Sequence, residues 1–112
     1  MQPVTGVSRG RRRFDSDRDF MMEMFKEYED HLPGRLEEIQ AALRDGDANA
    51  LTRLAHNLKG VSLNFNAEPV ADIALRLEEI GKREDLTGAS ALIAQLEVEV
   101  RRLKEYLSKN GV

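Results

Sequence analysis

Cysteine and tryptophan are absent from the chain, and proline occurs only three times. Without cysteine there is no disulfide, thiolate metal site or cysteine nucleophile. Aromatic residues make up 5%, too few for the stacking platforms that hold single-stranded nucleic acid. No apolar run approaches the roughly 18 residues of a membrane span. The N-terminus lacks the apolar centre of a secretory signal. A cytoplasmic protein without membrane contact is therefore expected. What is present is 41% apolar and 33% charged residues in a chain of 112. That length holds one domain and buries a core without covalent staples.

The net charge of −3 is unevenly spread. Residues 1–19 carry Arg9, Arg11, Arg12, Arg13 and Arg18 against Asp15, Asp17 and Asp19, an excess of two positive charges. The remainder is acidic by five charges, which argues against a nucleic-acid-binding face there. Residues 1–13 show no periodicity and read as a disordered basic leader or linker. The sharper alternative is a basic arm against an acidic partner. Residues 14–112 read as the folded unit.

That unit reads as all helix, because alternating Val/Ile/Thr runs and Asn-Gly turns are missing. Phe20, Met24 and Tyr28 form a stripe between about Ser16 and Asp30. Pro33 then predicts a break or kink near His31–Gly34. A second segment runs through Leu36, Ile39, Ala42 and Leu43. Gly46 suits a left-handed cap at its end, and Asp47 suits the N-cap of the next helix. Asp45, Asp47 and Asn49 do not make a calcium loop, since Ala50 stands where that loop needs Gly and His56 where it needs Glu. A third helix spans about Ala48 to Phe65. A fourth, opened by Pro69, carries Val70, Ile73, Ala74, Leu77 and Ile80 and ends near Gly81. A fifth, about Leu86 to Ser108, carries Ala89, Ile93, Leu96, Val100, Leu103 and Leu107 at bundle spacing. Amphipathic helices with short connections predict an antiparallel four-helix bundle with an additional N-terminal helix or half-helix.

The third helix holds the informative face. Leu51, Leu54, Ala55, Leu58, Val61, Ser62 and Phe65 share one stripe, and His56 lies about 160° from its centre. The imidazole must then point to solvent. Gly60 is one turn on and near His56 on the wheel. A mid-helix Gly costs about 1 kcal/mol against Ala, and what it provides here is room beside the ring. Lys59 leans back toward His56, because helical side chains tilt toward the N-terminus. Leu63 is an exposed apolar residue on the same side. Asn49 and Thr52 precede His56 on that face, and Arg53 lies about 60° from it. A neutral imidazole is a good nucleophile. If it accepts a phosphoryl group, the dianion needs a cation, which Lys59 supplies, and a close-approaching donor, which Gly60 admits. A surface histidine on a solvated helix is the ordinary alternative; the conjunction on one face argues against it.

Ala55-His56-Asn57-Leu58-Lys59-Gly60, followed by Ser62 and Asn66-Ala67, resembles the signature of the histidine phosphotransfer (HPt) domain. The Gly46-Asp47 turn and the Leu77-Glu78 pair belong to the same resemblance, which covers about residues 16–108. It implies a four-helix bundle whose His56 carries the phosphoryl group in a multistep phosphorelay, attacking through Nε2. It implies that Lys59 steadies the phosphate and that Gly60 clears space for it. Asn66 departs from the family's usual Gly, but Asn also tolerates a left-handed backbone.

The chain has no phosphate loop or kinase motif, and no clustered carboxylates on the His56 face for Mg²⁺. The resemblance thus implies a carrier rather than an autonomous enzyme. The partner receiver domain of a response regulator is expected to bring Mg²⁺, and this chain no cofactor or metal of its own. Asn49, Thr52, Arg53 and Leu63 are expected to dock that receiver. A monomer is expected, free-standing or as part of a hybrid sensor histidine kinase. Two alternatives stand beside this: a docking module that is never phosphorylated, and a metal site built on His31 and His56.

Overall fold

The structure, a computed structural model, describes residues 17–109. The basic leader expected at residues 1–13 lies outside them. Four helices follow one another: α1 Asp17–Arg44, α2 Ala48–Asn64, α3 Glu68–Arg83 and α4 Ala89–Lys109. Each packs on its sequence neighbour, and α4 closes back onto α1, while the diagonal pairs α1/α3 and α2/α4 do not adjoin. This is the expected four-helix bundle.

The turns follow from their residues. Gly46 takes φ +66°, and the Asp47 amide bonds back to the Ala42 carbonyl at 2.9 Å. The Asp47 carboxylate then accepts the Ala50 amide and caps α2. Asn66 takes φ +57°, and the Ala67 amide bonds the Ser62 carbonyl, so Asn closes α2 in the left-handed conformation expected of it. Pro69 sits in the first turn of α3 as expected.

The core runs along the bundle through Leu32, Ile39, Leu51, Leu58, Leu77 and Leu96, all essentially inaccessible. Each such side chain contributes about 1.5–3 kcal/mol on burial. Ser62 is buried among them, and its hydroxyl pairs with that of Tyr28 at 2.7 Å. Phe65 stacks on both Phe25 and Tyr28, which also stack on each other, tying the end of α2 to the first half of α1.

Two expected boundaries are corrected. Of the break or kink expected near His31–Gly34, the break is absent, because Pro33 lies inside a single 28-residue helix. The additional N-terminal helix or half-helix that was expected is the first half of α1. Tyr28 and Leu32 before the proline and Ile39 and Ala42 after it are all buried. Their joint packing outweighs the local cost of an exposed proline. Gly81 does not end α3. It is buried within the helix, and Glu84, at φ +57°, forms the left-handed cap instead.

Candidate functional site

The α2–α3 seam is the most extensive in the bundle, and small residues set its closeness. A Cβ on Gly81 would collide with Oγ1 of Thr52 and come within 3.0 Å of the Ala48 carbonyl oxygen and the Thr52 nitrogen. Only glycine lets the two helices lie this near. Glu78 stands one turn before Gly81 on α3, and His56 one turn after Thr52 on α2. In antiparallel helices those two residues face each other.

They meet. Nδ1 of His56 lies 2.9 Å from Oε2 of Glu78, with the histidine side chain 63% exposed and that of the glutamate only 6%. Nζ of Lys59 lies 2.9 Å from Oε1 of Glu78, and Nζ of Lys82 lies 3.4 Å from Oε2. One buried carboxylate is therefore shared by three basic side chains. Burial pushes the Glu78 carboxyl upward, but the close contacts of the Lys59 ammonium and the His56 ring, and then their charges, outweigh it. The net result is a carboxyl held below its ordinary value. Glu78 is thus ionised near neutral pH and can only accept. In the neutral ring of His56 it is then Nδ1 that carries the proton, which leaves the lone pair on Nε2.

The sequence-predicted residues are placed as follows. His56 is on the exposed side of α2, as its wheel position requires. Gly60 is exposed, and a Cβ there would meet nothing within 4 Å. Lys59 is on the same side, but its ammonium rests on Glu78 rather than standing free before the ring, and its side chain is only 26% exposed. Leu63 is 53% exposed. Asn49 and Arg53 are exposed on α2. Thr52 is not a free docking side chain: it is half-buried, its hydroxyl donates to the Ala48 carbonyl, and it packs on Gly81. His31 is on α1, where its Nδ1 donates to the Glu27 carbonyl oxygen. Among the described residues no group of three or more His, Asp or Glu side chains is placed to hold a metal ion.

The sequence reading gave Glu78 and Lys82 no role at the site. The signal was a charge set among small and apolar residues of one buried stripe, Ala71, Ala74, Glu78 and Gly81. An unpartnered carboxylate there would cost several kcal/mol, so basic groups from the facing helix were to be sought. Beyond Lys59, a groove between α2 and α3 is lined by Leu63, Pro69, Ala71 and Leu75, with Glu68 and Asp72 among them, so the apolar rim that Leu63 began continues with two carboxylates set in it.

The Hpt domain family model matches residues 23–106. Among solved structures, the chain is similar to histidine-containing phosphotransfer protein B (HptB) from Pseudomonas aeruginosa PAO1. The two are 34% identical, with a TM-score of 0.76 over 80% of this chain and 77% of that one. No curated protein matches the chain.

Proposed function

The chain belongs to the Hpt domain family and so serves histidine phosphotransfer in phosphorelays, and from this we propose that His56 is the residue that carries the phosphoryl group. The observation that supports this most is the 2.9 Å contact of Nδ1 with Glu78, which leaves Nε2 of a largely exposed ring as the nucleophile. The donor is the aspartyl phosphate of a response-regulator receiver domain. The Nε2 lone pair forms the N–P bond as the acyl-phosphate P–O bond breaks, and the electron pair leaves on the donor's carboxylate. Nδ1 keeps its proton, so the ring becomes a cation, which the Glu78 carboxylate stabilises. This is the part a buried acidic residue plays behind a catalytic imidazole. Return of the phosphoryl group to a second receiver is the reverse of these steps.

Lys59 supplies positive charge to the phosphoryl oxygens, and Gly60 leaves the approach to the ring open. Asn49, Arg53 and Leu63, with Pro69 and Leu75 beside them, form the surface on which the receiver docks. The receiver brings Mg²⁺, and the chain acts as a monomeric carrier in the cytoplasm, alone or within a hybrid histidine kinase. No helix among the described residues is long and apolar enough to cross a membrane.

The test is incubation with a phosphorylated receiver domain and Mg²⁺. Acid-labile, alkali-stable label is expected on the chain and absent from His56→Gln. Label that persists in His56→Gln refutes the assignment. Receiver binding without any transfer would favour a docking module instead.

A further inference from the structure

Lys59 cannot serve Glu78 and a phosphoryl group equally. In the structure its ammonium is committed to Oε1 of Glu78 at 2.9 Å, and only a quarter of its side chain is exposed. Oε1 itself is buried from solvent. Moving Lys59 away would leave Oε1, on a buried carboxylate, without its cation, unless the partners of Oε2 make up the charge.

The chemistry of the ring provides the replacement. When the N–P bond forms at Nε2 and Nδ1 keeps its proton, the imidazole turns from neutral to cationic. That new charge appears on the group already 2.9 Å from Oε2 of Glu78. Lys82 adds a second cation, 3.4 Å from the same oxygen and one turn along α3. At the same moment the transferred group brings about two negative charges to the outer side of the ring. Glu78 has then gained a partner, and the phosphoryl oxygens have none from this chain. Lys59 is one turn from His56 on the same side of α2, within reach of either.

We propose that Glu78 is a holding site for Lys59, which leaves the carboxylate for the phosphoryl oxygens when His56 is phosphorylated, while Lys82 remains as a positioning residue that keeps Glu78 compensated. This rests on His56 being the phosphoacceptor. It assigns Lys82 a part in the transfer without contact to the reacting atoms. It also makes the buried carboxylate a store of positive charge that is released only once the phosphoryl group has arrived. Before transfer, the same store keeps an unneutralised ammonium from standing in the receiver's path.

The experiment uses the whole chain, labelled with ¹⁵N and ¹³C and phosphorylated by phosphoramidate, with no receiver present. A phosphohistidine ³¹P resonance, missing in His56→Gln, reports the acceptor. The side-chain ammonium resonances of Lys59 and Lys82, assigned with Lys59→Arg and Lys82→Arg, report the exchange. On phosphorylation the Lys59 resonance is expected to shift and lose its correlation with the Glu78 carboxyl carbon, while that of Lys82 keeps it. In Lys82→Gln the Lys59 shift is expected to be smaller, because Lys59 is then the remaining ammonium on Glu78. A Lys59 resonance that stays put while phosphohistidine is present overturns the exchange and leaves the His56 reading intact. An undiminished shift in Lys82→Gln overturns the part given to Lys82. Absence of phosphohistidine from the unmodified chain overturns both the exchange and the reading beneath it.

Discussion

Glu78 reaches His56 from the facing helix and holds Nδ1 of the ring at 2.9 Å. The contact fixes both the ring's orientation and its tautomer, so in the proposed transfer the two residues act together. Replacing Glu78 by Ala leaves Nδ1 without this acceptor. Replacing it by Gln keeps an amide oxygen that can still accept the Nδ1 proton, but removes the charge. Phosphorylation of His56 by phosphoramidate is expected to slow on the order of 10-fold in Glu78→Ala, and less in Glu78→Gln, with helix content unchanged in circular dichroism. Equal rates in all three proteins would mean that the carboxylate does not set the ring.

Two glycines of the site region make opposite predictions. Around Gly60 there is open space, whereas Gly81 touches Thr52 and the α2 backbone. Gly60→Ala is expected to raise stability by about 1 kcal/mol, through helix propensity alone. Gly81→Ala is expected to lower it by about 1–3 kcal/mol, as an overpacked contact, and Thr52→Ala should rescue it only in part, because it removes the hydroxyl that the new Cβ would strike but leaves the close Ala48 and Thr52 backbone atoms. Urea denaturation measures both. Gly60→Leu should fold as well as Gly60→Ala and accept a phosphoryl group from phosphoramidate, yet exchange it slowly with a receiver. Exchange at the parental rate would show that the open space is not used.

The outward position of His56, the bareness around Gly60 and the exposure of Leu63 were all legible in the sequence, because each follows from angular position on one helix. So was the left-handed turn at Asn66, which depends on local backbone alone. Glu78 and Lys82 were not given roles, for a physical reason. Their partnership with His56 and Lys59 exists only across the α2–α3 seam, and one helix's periodicity carries no information on what faces it. The distance across that seam depends on Gly81, which reads locally as a helix terminator and acts as a packing contact. Lys59 shows the same limit: its lean toward the N-terminus was foreseen, but the carboxylate that captures it was not.

The Glu78 network has a signature in acid. Its carboxyl is held below the ordinary value in the fold, while in the unfolded chain it titrates near 4.3, about the reference value for Glu. The stability it contributes is therefore complete above that unfolded value and is lost as pH falls through the lower folded one. Asp85 is lowered as well, by hydrogen bonds from Thr87, so it falls away in the same direction in any variant. Subtraction isolates Glu78. The urea midpoint of the unmodified chain is expected to drop more steeply between pH 5 and pH 3, on the order of that titration range, than that of Glu78→Gln. Parallel curves would mean that the ion pairs on Glu78 contribute nothing to folding.

Pro33 offers the clearest measure of how packing overrides local preference. It lies within α1, exposed, with no amide to give to the Glu29 carbonyl one turn earlier. An interior proline costs a helix about 3 kcal/mol, yet α1 continues through it, because Tyr28 and Leu32 on one side and Ile39 and Ala42 on the other are anchored in the same core. Pro33→Ala restores the missing donor and removes the ring, so it is expected to stabilise the chain by about 1–3 kcal/mol in urea denaturation. Phosphoryl acceptance should not change, since α1 contributes no residue to the His56–Glu78–Lys59 cluster. A variant that lost stability would show instead that the proline's own geometry is what seats Tyr28 against Ser62 while Ile39 stays buried, and that the two halves of α1 are matched to the bundle through it.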